Sequence, residues 1–326
     1  MTADCLPRGV ASVHVLPSSH HEGPWDSIVT PPGTKERLLG TAALTLLHGR
    51  RLSAVGGPPS GLIVLAGPPG TGKTTLAHGL AQAAALAVAD RGATTFIEID
   101  PHAMPSEMLG ESQRNVVRLL RDVVPELARA RPHVIVLIDE VESFAVRRDL
   151  ASFETNPVDV QRATDAVLTG MDHLAATLPG TLFVTATNFL AAVDEAFISR
   201  ADLVVELGMP DADARAQIVA AALADLAGLW PALKVLAEDR DLHAELAIST
   251  EGWDGRRLRK LPLRVLGAEP ALARDPAKLT AAHLRAATGG WGQVTVLAGL
   301  LAALPRPGRG PAIRESGRRT RPAGAG

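Results

Sequence analysis

Leu62-Ile63-Val64-Leu65-Ala66-Gly67-Pro68-Pro69-Gly70-Thr71-Gly72-Lys73-Thr74-Thr75 reads as an apolar strand, a glycine-rich turn and the opening of a helix. From Gly67 to Thr74 it fills every position of G-x-x-x-x-G-K-[S/T], in the strand-to-helix setting that gives this motif its meaning. Glycines let the backbone curl so that N–H groups point inward at a phosphate, and the helix N-terminus adds partial positive charge. Lys73 is then the cation for the β- and γ-phosphates, and the Thr74 hydroxyl a ligand for Mg²⁺. Gly67, Pro68, Pro69, Gly70, Thr71, Gly72, Lys73, Thr74 and Thr75 form the candidate nucleotide-binding set. A dinucleotide fingerprint would need glycine where Thr75 stands, and it has no use for Lys73-Thr74.

Working outward, short apolar runs alternate with helical patterns. Thr94–Ile99, Val134–Ile138, Thr181–Thr185 and Leu203–Leu207 read as further buried strands, with helices over Lys73–Ala89 and Gln113–Ala130. Such alternation predicts an α/β fold, a parallel sheet flanked by helices on both faces. From Pro210 the pattern turns helical, which predicts a smaller helical lid. The expected organisation is a short N-terminal segment over 1–60, a nucleotide-binding domain over 61–208, the lid over 209–288, and an apolar stretch with a tail over 289–326.

The strand Val134–Ile138 ends in Asp139-Glu140. Asp139, at the strand tip, is suited to hold Mg²⁺, and Glu140 to orient and deprotonate a water for attack on the γ-phosphorus. The strand Thr181–Thr185 runs on to Asn188, a polar residue suited to help place that water. Arg200, in Asp194–Asp202, has two readings: a finger reaching a neighbour's nucleotide, or an ion pair with Asp202 or Glu195.

The 326 residues carry 33 Lys+Arg against 35 Asp+Glu, a net charge of −2, with 46% hydrophobic and 21% charged residues. That composition supports a sizeable core and excludes wholesale disorder. The near-neutral body argues against a surface built to grip nucleic acid. Cys5 is the only cysteine, which excludes a disulfide framework and Cys-based zinc modules. His20-His21 reads as a solvated loop pair. The apolar run Val294–Leu304 is too short for a bilayer, and no secretory signal is visible, so a cytoplasmic protein is expected. Pro305–Gly326 holds six Arg against Glu315 alone and reads as a disordered basic tail.

The chain resembles the AAA+ ATPases, and within them the thyroid-receptor-interacting/pachytene-checkpoint family that remodels HORMA-domain proteins. The resemblance covers about His14 to Ala287. It rests on Val15-Leu16-Pro17, Trp25-Asp26-Ser27-Ile28, the phosphate loop, Leu137–Ser143, Ala166–Thr169, Arg200-Ala201-Asp202 and Gly255-Arg256-Arg257-Leu258-Arg259-Lys260-Leu261-Pro262. It implies that Asn188 is the polar sensor, Arg200 the trans-acting finger and Arg256 the second sensor on the lid. It also implies ATP and Mg²⁺ as cofactors and a homo-hexameric ring. The residues alone leave Arg256 open to another reading, one arginine among Arg257 and Arg259 on a solvated helix.

Two departures stand out. Eukaryotic members carry an N-terminal substrate-binding domain, and only some 60 residues precede the phosphate loop here. The family's pore loop usually presents an aromatic, whereas Ser106–Ser112 offers Met108 and Leu109, which read either as a substrate grip or as core of a short helix. The lysine-poor composition suggests a bacterial member, a group associated with HORMA proteins in anti-phage signalling. The expected function is ATP-driven remodelling of a HORMA-domain protein, without membrane or nucleic-acid binding. Rival readings are a clamp-loader-like or DNA-transaction ATPase, and a nucleotide-dependent scaffold.

Overall fold

The computed structural model describes residues 6–21, 23–52, 54, 60–100, 111–143 and 157–289. Six strands form one sheet: β1 (Val10–Leu16), β2 (Leu62–Ala66), β3 (Thr94–Ile99), β4 (His133–Ile138), β5 (Thr181–Thr187) and β6 (Leu203–Glu206), in the order β1-β3-β4-β5-β2-β6. Every pairing from β3 to β6 is parallel, and β1 joins the edge antiparallel to β3, running from Leu16 opposite Thr94 to Val10 opposite Ile99. The sheet is therefore mixed, with five parallel strands and one strand that the apolar-run criterion does not find. The reason is burial. β2, β4 and β5 are buried along their whole length, so their sequences are unbroken runs. In β1 only Val10 and Leu16 are buried, and Val15 is exposed.

Thirteen α-helices, with short 3-10 turns and loops between elements, lie among the described residues. They are α1 (Pro24–Ser27), α2 (Thr34–Leu52), α3 (Lys73–Ala87), α4 (Glu111–Arg118), α5 (Val124–Ala128), α6 (Pro157–Thr177) and α7 (Glu195–Ile198) around the sheet. After β6 come α8 (Ala212–Leu229), α9 (Lys234–Glu238), α10 (Arg240–Ser249), α11 (Gly255–Ala268), α12 (Pro270–Arg274) and α13 (Ala281–Gly289). The helix expected over Gln113–Ala130 is broken by a π-helical turn at Leu119–Val123. Pro125 explains the break: it has no N–H to give the carbonyl four residues back, and its ring clashes there, so the turn widens.

Alternate side chains of each strand feed two cores. Leu62, Val64, Val136 and Phe183 pack with Leu120 and Leu174 on one face. Ile63, Leu65, Leu137 and Val184 pack with Leu38, Leu76 and Leu80 on the other. A third core, built from Leu223, Leu246, Leu258 and Leu284, belongs to the helices after β6. No strand follows β6 among the described residues, and these residues up to Thr288 belong to one compact unit. Asp202 fixes the start of β2. Its carboxylate accepts from the N–H groups of Ser60 (3.0 Å), Gly61 (2.7 Å) and Leu62 (3.2 Å).

Two histidine findings bear on stability. His21, read from sequence as solvated, is partly buried, edge-on to His14 at 4.6 Å and to Phe96 at 6.1 Å. His133 opens β4 and is buried; desolvation pulls its pKa below the ordinary value, partly offset by the Leu46 backbone and Asp90. The unfolded chain therefore takes up this proton first as pH falls, and stability held above about pH 6.5 is lost below it. His133→Gln should flatten the fall of unfolding free energy between pH 7.5 and 5.5, measured by denaturant titration, by up to about 1.4 kcal/mol per pH unit. Equal slopes for the two proteins would remove His133 from the acid response.

Candidate active site

The loop after β2 turns through three glycines with positive φ: Gly67 (146°), Gly70 (83°) and Gly72 (95°). At two of them a side chain is excluded by contact as well as by conformation. A Cβ on Gly67 would overlap the Leu207 carbonyl, and one on Gly70 would stand 2.5 Å from the Asp254 carboxyl carbon. Lys73 begins α3 and is 6% exposed. Its ammonium donates to the carbonyls of Gly67 (2.8 Å) and Pro68 (2.9 Å), which leaves one of its three protons for another acceptor. Burial pulls the Lys73 pKa down, opposed by the nearby charges of Asp139, Glu142 and Glu140.

Across from the loop, β4 delivers its two acids differently. Asp139 Oδ2 accepts from the Thr74 hydroxyl at 2.7 Å, and its Oδ1 accepts from the Glu140 N–H at 2.9 Å. A hydroxyl and a carboxylate, hard oxygen donors from opposed elements, suit Mg²⁺. Glu140 is the one non-glycine at positive φ among the described residues (52°), and its carbonyl accepts from Ser143 N–H at 2.9 Å. This left-handed turn ends the strand and puts Glu140 on the cleft wall rather than along β4. Asn188, just past β5, lines the same cleft, and its backbone N–H donates to Glu142 Oε1 at 3.0 Å. Glu142 thus ties the turn after β4 to the end of β5.

The far wall comes from α11. Asp254 caps it, accepting from Arg257 N–H at 2.7 Å, and the Arg256 N–H donates to the Gly70 carbonyl at 3.0 Å. The helix therefore rests directly on the phosphate loop. Arg256 lines the cleft, and its charge is one of those lowering the Lys73 pKa. Arg256, Arg257 and Arg259 are not equivalent: Arg257 stacks on Trp253 at 3.7 Å, whereas Arg259 faces the cleft beside Asp225. The cleft holds about 650 Å³.

Residues 63–209 match the ATPase family associated with various cellular activities (AAA). The chain is 41% identical over 282 residues to CD-NTase-associated protein 6 of Pseudomonas aeruginosa, covering 86% of this chain and 92% of that one. It is 33% identical to the pachytene checkpoint protein 2 homolog of Arabidopsis thaliana over 80% of this chain, which spans 62% of that longer relative. This chain belongs to the pachytene-checkpoint branch of the AAA ATPases. Solved structures show the shared fold. Caenorhabditis elegans PCH-2 superposes with a TM-score of 0.67 at 24% identity, covering 87% of this chain and 75% of that one. The E. coli MS115-1 HORMA:CdnC:Trip13 complex gives a TM-score of 0.67 at 20% identity, covering 88% and 96%.

In this AAA ATPase the cleft gathers Pro69 to Thr75, Asp139, Glu140, Asn188 and Arg256. Arg200 is elsewhere. Its Nη1 donates to the Ala196 carbonyl at 2.9 Å, its Nη2 lies 3.5 Å from Asp172, and it lines a separate hollow. The ion pair considered with Asp202 or Glu195 is replaced by Asp172, because Asp202 already holds three backbone N–H groups of β2. Met108, Leu109 and the tail Pro305–Gly326 lie outside the described residues. Sequence reasoning passed over Ser27, Ile28 and Val29 as cleft residues, although Trp25–Ile28 carried part of the resemblance. It also passed over Lys260, within the run Gly255–Pro262 that carried the resemblance, and Ile218 and Asp225, which have no local signal at all. Among the described residues no helix is long and apolar enough to cross a membrane.

Proposed function

We propose that this chain hydrolyses ATP at the boundary between subunits of a homo-hexameric ring and uses the cycle to remodel a HORMA-domain protein in the cytoplasm. The observation that carries the reading is the convergence of Lys73, Thr74, Asp139, Glu140 and Arg256 on one cleft while Arg200 is held away from it. Glycine-loop N–H groups and Lys73 bind the phosphates. Thr74 and Asp139 would hold Mg²⁺, which when bound neutralises charge between the β- and γ-phosphates. Glu140 takes a proton from a water whose oxygen bonds to the γ-phosphorus. The bond from that phosphorus to the bridging oxygen breaks, and ADP and phosphate leave. Asn188 orients the water, and Arg256 contacts the γ-phosphate from the lid.

The partner follows from relatives. One is named for association with a CD-NTase, and a structure of the same fold holds a HORMA protein with Trip13. That pairing favours bacterial anti-phage signalling as the setting. Met108 and Leu109 are proposed to grip the substrate in the central pore. The test is ATP turnover by the purified protein with and without a HORMA protein, beside Lys73→Ala. The variant should lose nucleotide binding, because it removes the loop's own cation, and the HORMA protein should raise wild-type turnover. No turnover under either condition would overturn the reading.

A further inference from the structure

The lid wall of the cleft is made by two helix faces. On α8, Ile218 and Asp225 lie seven residues apart and share a face; on α11, Arg256, Arg259 and Lys260 do the same at spacings of three and four. This wall thus presents three cations and a single acid, Asp225. Arg259 Nη2 donates to Asp225 Oδ2 at 2.5 Å. Its Nη1 is enclosed and has no hydrogen-bond partner among the described residues. A guanidinium carries five N–H donors in a rigid fork that fits a carboxylate or a phosphate two at a time. Here one edge is engaged and the other is not.

The pair is easily exchanged. Asp225 is 65% exposed and Arg259 34% exposed, and ion pairs so open to water contribute about 0–1 kcal/mol. An anionic polyphosphate entering the cleft offers the same geometry with more charge. We propose that Arg259 is a further phosphate-binding residue of this cleft, held in reserve by Asp225 and handed over when nucleotide enters. The inference rests on the nucleotide-binding reading above. It adds that Asp225 competes with the nucleotide for one cation, so the two partners of a visible ion pair act in opposite directions.

Equilibrium binding of ATP, ADP and adenosine to the full-length protein tests this, with Arg259→Ala, Asp225→Asn and the double variant, alongside each Tm. Arg259→Ala should weaken ATP about tenfold and leave adenosine within about twofold. Asp225→Asn should tighten ATP several-fold in the wild-type background. In the Arg259→Ala background that gain should vanish, because Asp225 then has no cation to withhold. Each Tm should stay close to that of the wild type, as befits an exposed pair.

A structural ion pair gives a different pattern: both single variants lower Tm and weaken ATP together, and that result overturns the proposal. A gain from Asp225→Asn that persists without Arg259 overturns it too, since the effect is then general removal of negative charge. Loss of adenosine binding in Arg259→Ala would assign the residue to the nucleoside and not to the phosphates. Failure of the wild-type protein to bind any nucleotide would instead refute the parent reading, before the variants are compared.

Discussion

Arg200→Ala should bind ATP with unchanged affinity and hydrolyse it about 10³–10⁵-fold more slowly, the range lost when a transition-state arginine is removed. The guanidinium is anchored to the Ala196 carbonyl and faces Asp172, in a hollow of about 320 Å³ that shares no lining residue with the nucleotide cleft. From that position it serves a neighbour's nucleotide or none. Mixing separates those cases. Arg200→Ala keeps an intact pocket, and Lys73→Ala keeps an intact finger, so each is inactive alone. If the proposed ring forms, mixing should restore part of the turnover wherever a good pocket meets a good finger. Recovery on mixing is the signature of action in trans. Wild-type turnover by Arg200→Ala alone would reduce the residue to a strut between α6 and α7.

Glu140→Gln should retain ATP and turn it over about 10²–10⁴-fold more slowly, the usual contribution of a positioned general base. The two neighbouring acids differ in what they touch. Asp139 is committed through both oxygens, to the Thr74 hydroxyl and to the Glu140 N–H. Glu140 stands on a left-handed turn at the cleft wall, and glutamine keeps its size and removes only its basicity. Its ATP affinity should therefore separate cleanly from that of Lys73→Ala. Equal loss of affinity in both variants would contradict the division of roles. The stalled variant is also the form in which a bound protein partner is best captured and identified.

Strands β2, β4 and β5 were legible because each is buried along its whole length, which writes a nearly unbroken apolar run into the chain, and β3 and β6 still carry short apolar stretches. β1 was not, since it lies at the sheet edge and buries only its two end residues, and its pairing with β3 is a long-range choice. The π-turn was missed for a related reason. Helical spacing continues through Val123 and Val124, and the disturbance comes from a missing donor at Pro125. Arg200 showed its sequence neighbours Glu195 and Asp202, but its partner is Asp172, brought near by the packing of α6.

The amino-acid sequence by itself determined which side chains meet at the phosphate end of the cleft. Gly67 to Thr74 are contiguous, and Asp139 and Glu140 follow directly from the strand that carries them, so local chain geometry places each group. Tertiary structure alone decided the opposite wall, where Ile28, Ile218, Asp225 and Arg259 stand together. Those residues come from three segments far apart in the chain, and the packing of α8 against α11 sets their proximity. Such packing requires only that the hidden faces of the two helices be apolar. It leaves the cleft-facing residues free of any periodic signal, so their meeting is visible only once the helices are in place.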